Sequence, residues 1–344
     1  MPLFGRRTAE QRERRKRREW GLVAPPRPEA DGGDPRLPAV REAARSGDWA
    51  RLRGLLAPAA AAGAAPGGAC PWTDDLSRLA DELMEVPGAE EWLARAVAAD
   101  PKDPLARLAL GARQVGWAWE ARSRRKAKYV SREQFEVFHA RLLEAEDHLY
   151  EAAQLVPEWV APWYFLLPAG RGLEVGQEVA ERRMEAVTAR FPHHLPAHRA
   201  HLQQVCAKWG GSHEKMHGFA RTAMLAAPEG SPLGELVALA QLEQWYEEPA
   251  GDDERYLNRP EVAEQLHEAW SRSLGHPDFR PFPGWTLTGN TFAMTFAMAG
   301  RKDAAVAAFR MLNGAVTRSP WNHLRGGGED PVGVFTQWQA RMLR

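Results

Sequence analysis

The chain has 344 residues, and its 45 lysines and arginines are balanced by 45 aspartates and glutamates. That balance excludes a chain-wide electrostatic footprint for nucleic acid or an anionic membrane. The two cysteines, Cys70 and Cys206, exclude a disulfide framework and fit a reducing compartment.

Residues 1–36 read as a disordered basic tail. Eight basic residues fall between Arg6 and Arg18, and Pro25, Pro26, Pro28, Gly32 and Gly33 then break regular structure. Met1 to Gly5 is too short for a secretory apolar region, and no 18-residue apolar run occurs, so a soluble cytoplasmic protein with no membrane segment is expected. Residues 37–57 read as a short helical pair turned at Ser46-Gly47-Asp48, with Trp49, Leu52, Leu55 and Leu56 as its apolar stripe. Residues 58–71 are alanine, glycine and proline and read as a linker.

From residue 72 the pattern is helical throughout, with no sustained period-two alternation for strands. Helices are expected at 74–86, 89–99, 104–128, 131–156, 159–167, 173–190, 195–208, 212–227 and 231–247. Ser131 and Gln134 form a capping box at one of these starts. Residues 249–287 interrupt the series with one helix, 260–274, and a loop rich in proline, glycine and aromatics. Helices 288–299 and 302–318 follow, and a last one starts at Asp330-Pro331 with Phe335 and Trp338 on one face. The 14 tryptophans are scattered along the chain, as expected of residues that fill gaps between stacked helices.

One phrase recurs: alanine, a large apolar residue four later, alanine three after that, and proline five further on. Strict copies are Ala89-Leu93-Ala96-Pro101, Ala145-Leu149-Ala152-Pro157 and Ala308-Leu312-Ala315-Pro320. Relaxed copies are Ala180-Met184-Val187-Pro192 and Met216-Ala220-Ala223-Pro228. The first three positions share one helix face, small residues admit a neighbouring helix, and the proline ends the helix. Pro104, Pro162, Pro196 and Pro232 then stand where a new helix begins.

The phrase resembles the second helix of the tetratricopeptide repeat, and two proline intervals of 35 and 36 residues suit a repeat of that size. Trp163 matches that family's first-helix tryptophan and Gly111 its small residue, whereas Arg107, His198 and Gly234 stand where an aromatic is expected. The turn Trp209-Gly210-Gly211-Ser212 is similar to turns in uncharacterised bacterial helical-repeat proteins. The resemblance implies an all-α fold of antiparallel helix-pair repeats, a tetratricopeptide-like solenoid spanning residues 72–344 around the insertion at 249–287. It implies a non-catalytic scaffold that binds a protein or peptide in a groove formed by the first helix of each pair. Tyr164, Arg171, Arg199 and Gln203 are then the candidate ligand-binding residues, with Pro168 expected to interrupt the helix before Arg171.

A competing motif is His213-Glu214-Lys215-Met216-His217, a literal H-E-x-x-H. On a helix it puts His213 and His217 on one face for zinc, with Glu214 as general base, and resembles the zincin metallopeptidases. Its family's Gly and third His are replaced by Ala220 and Ala223, and Glu235 or Glu243 would have to supply a third ligand. Ser212 is the expected N-cap, which makes His213 the first residue of its helix, and Met216 belongs to the repeated phrase. A wider group, His193, His194, His198, His201, His213 and His217 with Cys206 between them, reads as solvent-facing or capping residues near helix ends, with metal binding without catalysis as the alternative. The basic tail lacks aromatic interleaving, so nucleic-acid binding through it is the lesser reading.

Overall fold

The computed structural model describes residues 15, 17–22, 24–29, 34–63, 70–122, 131–249, 253–324 and 327–343. Among them the fold is all-α, apart from two strands of two residues. The chain divides into two compact units, residues 34–219 and residues 1–33 with 220–344; the division falls inside one helix, His213–Ala226.

In the 34–219 unit the helices are α1 Arg36–Ser46, α2 Trp49–Ala62, α3 Asp75–Asp81, α4 Ala89–Ala99, α5 Pro104–Arg122, α6 Arg132–Leu155, α7 Ala161–Gly172, α8 Gln177–Arg190, α9 Leu195–Gln204 and the start of α10 His213–Ala226. The repeated phrase explains their ends. Helices α4, α6, α8 and α10 each stop two residues before a proline, at Pro101, Pro157, Pro192 and Pro228. The residue before a proline is pushed out of the helical region, and Asp100, Val156 and Phe191 all adopt extended ψ values between 81° and 90°. The stripe residues are the packed face: Leu93, Ala145, Leu149, Ala152 and Val187 are fully buried.

Polar contacts give the helix directions. Arg141 donates to the Trp117 carbonyl, Gln114 to Glu144, and Gln134 to the Ala121 carbonyl. Rising numbers on α5 meet falling numbers on α6, so the two are antiparallel. Gly111 makes their approach possible, since a Cβ there would sit 2.8 Å from Leu149 Cγ. Helices α7 and α8 are likewise antiparallel: Arg190 binds the Pro157 carbonyl and Arg183 the Leu166 carbonyl. Helices α7 and α9 run side by side in the same direction, because Tyr164 meets His194 and Arg171 meets the Ala200 carbonyl.

The other unit holds the rest of α10, α11 Glu235–Glu247, α12 Asp253–Tyr256, α13 Pro260–Arg272, α14 Trp285–Met298, α15 Lys302–Leu312 and α16 Pro331–Met342. Strands β1 Arg27–Pro28 and β2 Ala315–Val316 pair in parallel. Its core stacks Trp321 on Phe309 with Phe335 edge-on to both, and a second group joins Trp270, Phe292 and Phe296. Several polar groups inside are paired: Thr288 and Thr291 donate to the buried Glu235 carboxylate at 2.8 and 2.9 Å, and Trp321 donates to Asn290 at 2.7 Å.

Several expectations are corrected. The described part of residues 1–36 is ordered: β1 belongs to it, and Leu22 is buried. Helix α2 runs through Pro58 to Ala62 into the expected linker, carried by four consecutive alanines after that proline; residues 64–69 lie outside the described residues. Helix α7 also passes through its proline, Pro168, and reaches Gly172, so Arg171 is helical. The helix expected at 302–318 stops at Leu312, because Asn313 and Gly314 take positive φ of 45° and 82°. Ala315 is therefore in β2 and not on the stripe of Ala308 and Leu312. The part of the helix expected at 104–128 that follows Arg122 lies outside the described residues. Two-residue strands are too short to leave an alternating pattern.

Candidate ligand-binding site

Three of the four residues proposed from position come together in the 34–219 unit. Tyr164 lies in the first turn of α7 and donates its phenolic proton to Asp81 Oδ1 at 3.0 Å. Asp81 ends α3. Its surface reaches solvent, while protein crowding around it strips hydration and pushes its carboxyl up to about 6; the Tyr164 hydrogen bond opposes that shift, and Glu82 and Glu85 add to it. The Tyr164 phenol is held well above its ordinary value, first by burial and then by the Asp81 charge, with Arg199 and Arg171 pulling the other way.

Arg171 lies two turns after Tyr164 on α7. Its guanidinium is 5.2 Å from the Trp119 ring centre and 5.7 Å from that of Trp209, and it donates to the Ala200 carbonyl at 3.3 Å. Arg122 flanks the same two rings at 5.5 and 5.6 Å, and the rings meet edge-on at 6.0 Å. Stacking on indole fixes a guanidinium's plane at little entropic cost. Gln203 stands one turn after Arg199 on α9, so the candidate residues occupy α7 and α9, the two helices that run in the same direction.

Behind Tyr164 is a buried imidazole layer, which corrects the expectation of solvent-facing histidines: His194, His198 and His201 are all buried, and of the three His194 is the cap. His194 caps α9, its Nδ1 accepting from the Ala197 amide at 3.1 Å, and its ring packs against Tyr164 and the edge of Phe191. Its Nε2 is buried with no hydrogen-bond partner among the described residues. His198 Nδ1 meets the His194 carbonyl oxygen at 2.9 Å, and both His198 and His201 pack on Phe219. Burial holds all three imidazoles neutral, pushing His194 down to about 3 and His198 and His201 to about 4.

The H-E-x-x-H segment opens α10. Ser212 Oγ accepts from the Lys215 amide at 3.1 Å, which makes His213 the first helical residue. Met216, between the two histidines, is fully buried, while Glu214 is exposed. Among the described residues no three His, Cys, Asp or Glu side chains are grouped to hold a metal ion. The turn before it is built on glycine: Gly210 has φ 82°, and a Cβ on Gly211 would sit 1.9 Å from the Val205 carbonyl oxygen.

Asp81, Trp119 and Arg122 escaped sequence reasoning. Asp81 is one acid among several in an acidic stretch, and nothing local distinguishes it. No protein-family model matches the chain, and no curated protein matches it either. Among the described residues no helix is long and apolar enough to cross a membrane.

Proposed function

We propose that the chain is a non-catalytic scaffold of tetratricopeptide-like helix pairs that binds a protein or peptide segment through the face formed by α7 and α9. Alternating antiparallel helices with α7 and α9 running side by side support a repeated helix-pair arrangement. The observation that carries the binding reading is the convergence of three separate helices at Asp81, Tyr164 and Arg171, with Arg171 reaching the Ala200 carbonyl next to Arg199. Guanidiniums fixed on rigid helices suit an acidic group of a ligand, and Asp81 with Tyr164 suits a neighbouring hydrogen-bond donor.

The test is selection of a random displayed-peptide library on the full chain, with counter-selection on Arg199→Glu. The reading expects enriched peptides that carry an acidic residue and lose at least about tenfold in affinity on the variant, the scale of one charge-assisted contact. Peptides that bind both proteins equally, or no enrichment, would overturn it. A zinc hydrolase centred on His213, Glu214 and His217 needs a third ligand, and no observation favours one.

A further inference from the structure

The 220–344 unit carries an N-terminal segment, residues 17–22 and 24–29, as a strap. At one end the Arg310 Nε donates to the Trp20 carbonyl at 2.9 Å, and Lys302 lies 5.5 Å from the Trp20 ring centre. At the other, the amides of Arg27 and Glu29 donate to the carbonyls of Gly314 and Val316, each at 2.8 Å, and Arg27 Nη1 donates to the Asn313 carbonyl at 2.8 Å. Pro28 falls between the two donating residues, where the missing N–H costs this edge nothing. Gly314 is required by the approach, since a Cβ there would lie 2.4 Å from the Pro25 carbonyl oxygen.

The receiving edge is built from the other side. Asn290 is fully buried; its Nδ2 donates to the Ala315 carbonyl at 3.1 Å while its Oδ1 accepts from Trp321. Carbonyls 314 and 316 thus face the strap and carbonyl 315 faces the core, the alternation of a strand. The positive-φ pair Asn313 and Gly314 ends α15 and turns the chain into this edge. The Asn290 bonds are made without any atom of the strap.

The strap itself is lightly held. Leu22 is its one buried side chain among the described residues, and Arg18, Gly21, Pro25, Arg27 and Pro28 are exposed. Three of the four hydrogen bonds named above use main-chain atoms of the strap, and the Arg27 guanidinium and the Trp20 ring add the side-chain contacts that distinguish one segment from another.

We propose that the edge at residues 313–316, with Arg310 and Lys302, is a receptor for an extended proline-rich, arginine-bearing segment of a partner protein, and that this strap occupies it in cis. The cis occupant states the preferred chemistry: an aromatic for Lys302, an apolar anchor at Leu22, and the run Pro25-Pro26-Arg27-Pro28, whose prolines favour the extended conformation before binding. A partner segment would add to the edge by the same main-chain pattern after the strap leaves.

A fluorescein-labelled synthetic peptide of residues 15–29 is the probe. It is titrated against the full chain, against the chain lacking residues 1–29, and against the full-length variant Leu22→Asp, which ejects the strap without shortening the chain. Both altered proteins should bind the peptide at least about tenfold more tightly than the full chain does, since a tethered occupant competes at a high effective concentration. Arg310→Ala in the shortened chain should weaken binding several-fold, and a scrambled peptide should not bind. Equal binding to all forms, or no binding to altered proteins that retain their helicity, would overturn the proposal. So would loss of helicity in both altered proteins, because the strap would then be part of the core. Self-association of the full chain that the peptide dissolves would make a second copy the occupant and overturn the partner assignment.

Discussion

The phenol of Tyr164 donates to Oδ1 of Asp81, joining the first turn of α7 to the last residue of α3 at 3.0 Å. Protein crowding raises the Asp81 carboxyl and this hydrogen bond restrains the rise. Tyr164→Phe should therefore move the Asp81 midpoint above about 6. Carboxyl carbon shifts followed by NMR across the acidic range check it. An unchanged or lower midpoint would show that the phenol does not stabilise the carboxylate.

Acid should destabilise the protein through His194, His198 and His201. Their folded values lie below the ordinary 6.5, at about 3, 4 and 4, so the unfolded chain takes up protons that the folded chain refuses. The stability they contribute is fully present above 6.5 and declines as pH falls towards 4. Asp81 has the opposite sign: its value is raised from 3.8, so its contribution is present below 3.8 and lost as pH rises through about 6. Three imidazoles against one carboxylate leave a net fall in thermal midpoint between neutrality and about pH 5. His201→Leu, which removes an imidazole whose Nδ1 lacks a partner among the described residues, should flatten that slope. Scanning calorimetry at stepped pH decides, and an unchanged slope would count against buried neutral imidazoles.

Helix ends were the most legible part of this sequence, because proline acts locally: Pro101, Pro157, Pro192 and Pro228 stop their helices whatever packs on them. Ser131 and Ser212 were equally readable, each capping the next helix through its own hydroxyl. Proline misled where tertiary packing overrode it. At Pro168 the helix continues into Gly170 and Gly172, which let Arg183, Phe138 and Leu142 press against α7. The strap was invisible because its partner strand lies almost three hundred residues away and is two residues long. Tyr164, Arg171 and Arg199 could be found from their places after Pro162 and Pro196. Asp81 could not, since what distinguishes it is the distant Tyr164.

Close helix approaches should be intolerant of a single methyl group. A Cβ on Gly116 would lie 2.1 Å from the Met84 carbonyl oxygen, and backbone cannot yield as a side chain does. Gly116→Ala should cost about 1–3 kcal/mol or more in urea denaturation. Gly54→Ala, with nothing within 4 Å, is the control and should be neutral or slightly stabilising in the middle of α2.

Arg183 offers a test of the buried ion network that joins α8 to α6 and α7. Its side chain is 5% exposed, pairs with Glu146 at 2.6 Å, and donates to the Leu166 carbonyl at 2.7 Å and the Tyr150 hydroxyl at 2.9 Å. Arg183→Met keeps most of the volume but leaves Glu146, 14% exposed, as an uncompensated charge. Removing one partner of such a pair costs about 3–5 kcal/mol. Adding Glu146→Gln to Arg183→Met should return a large part of that loss, because the stranded charge and not the missing contact carries most of the penalty. Equal losses in the single and double variants would instead assign the stability to the hydrogen bonds with Leu166 and Tyr150, and chemical denaturation of the three proteins separates the two accounts.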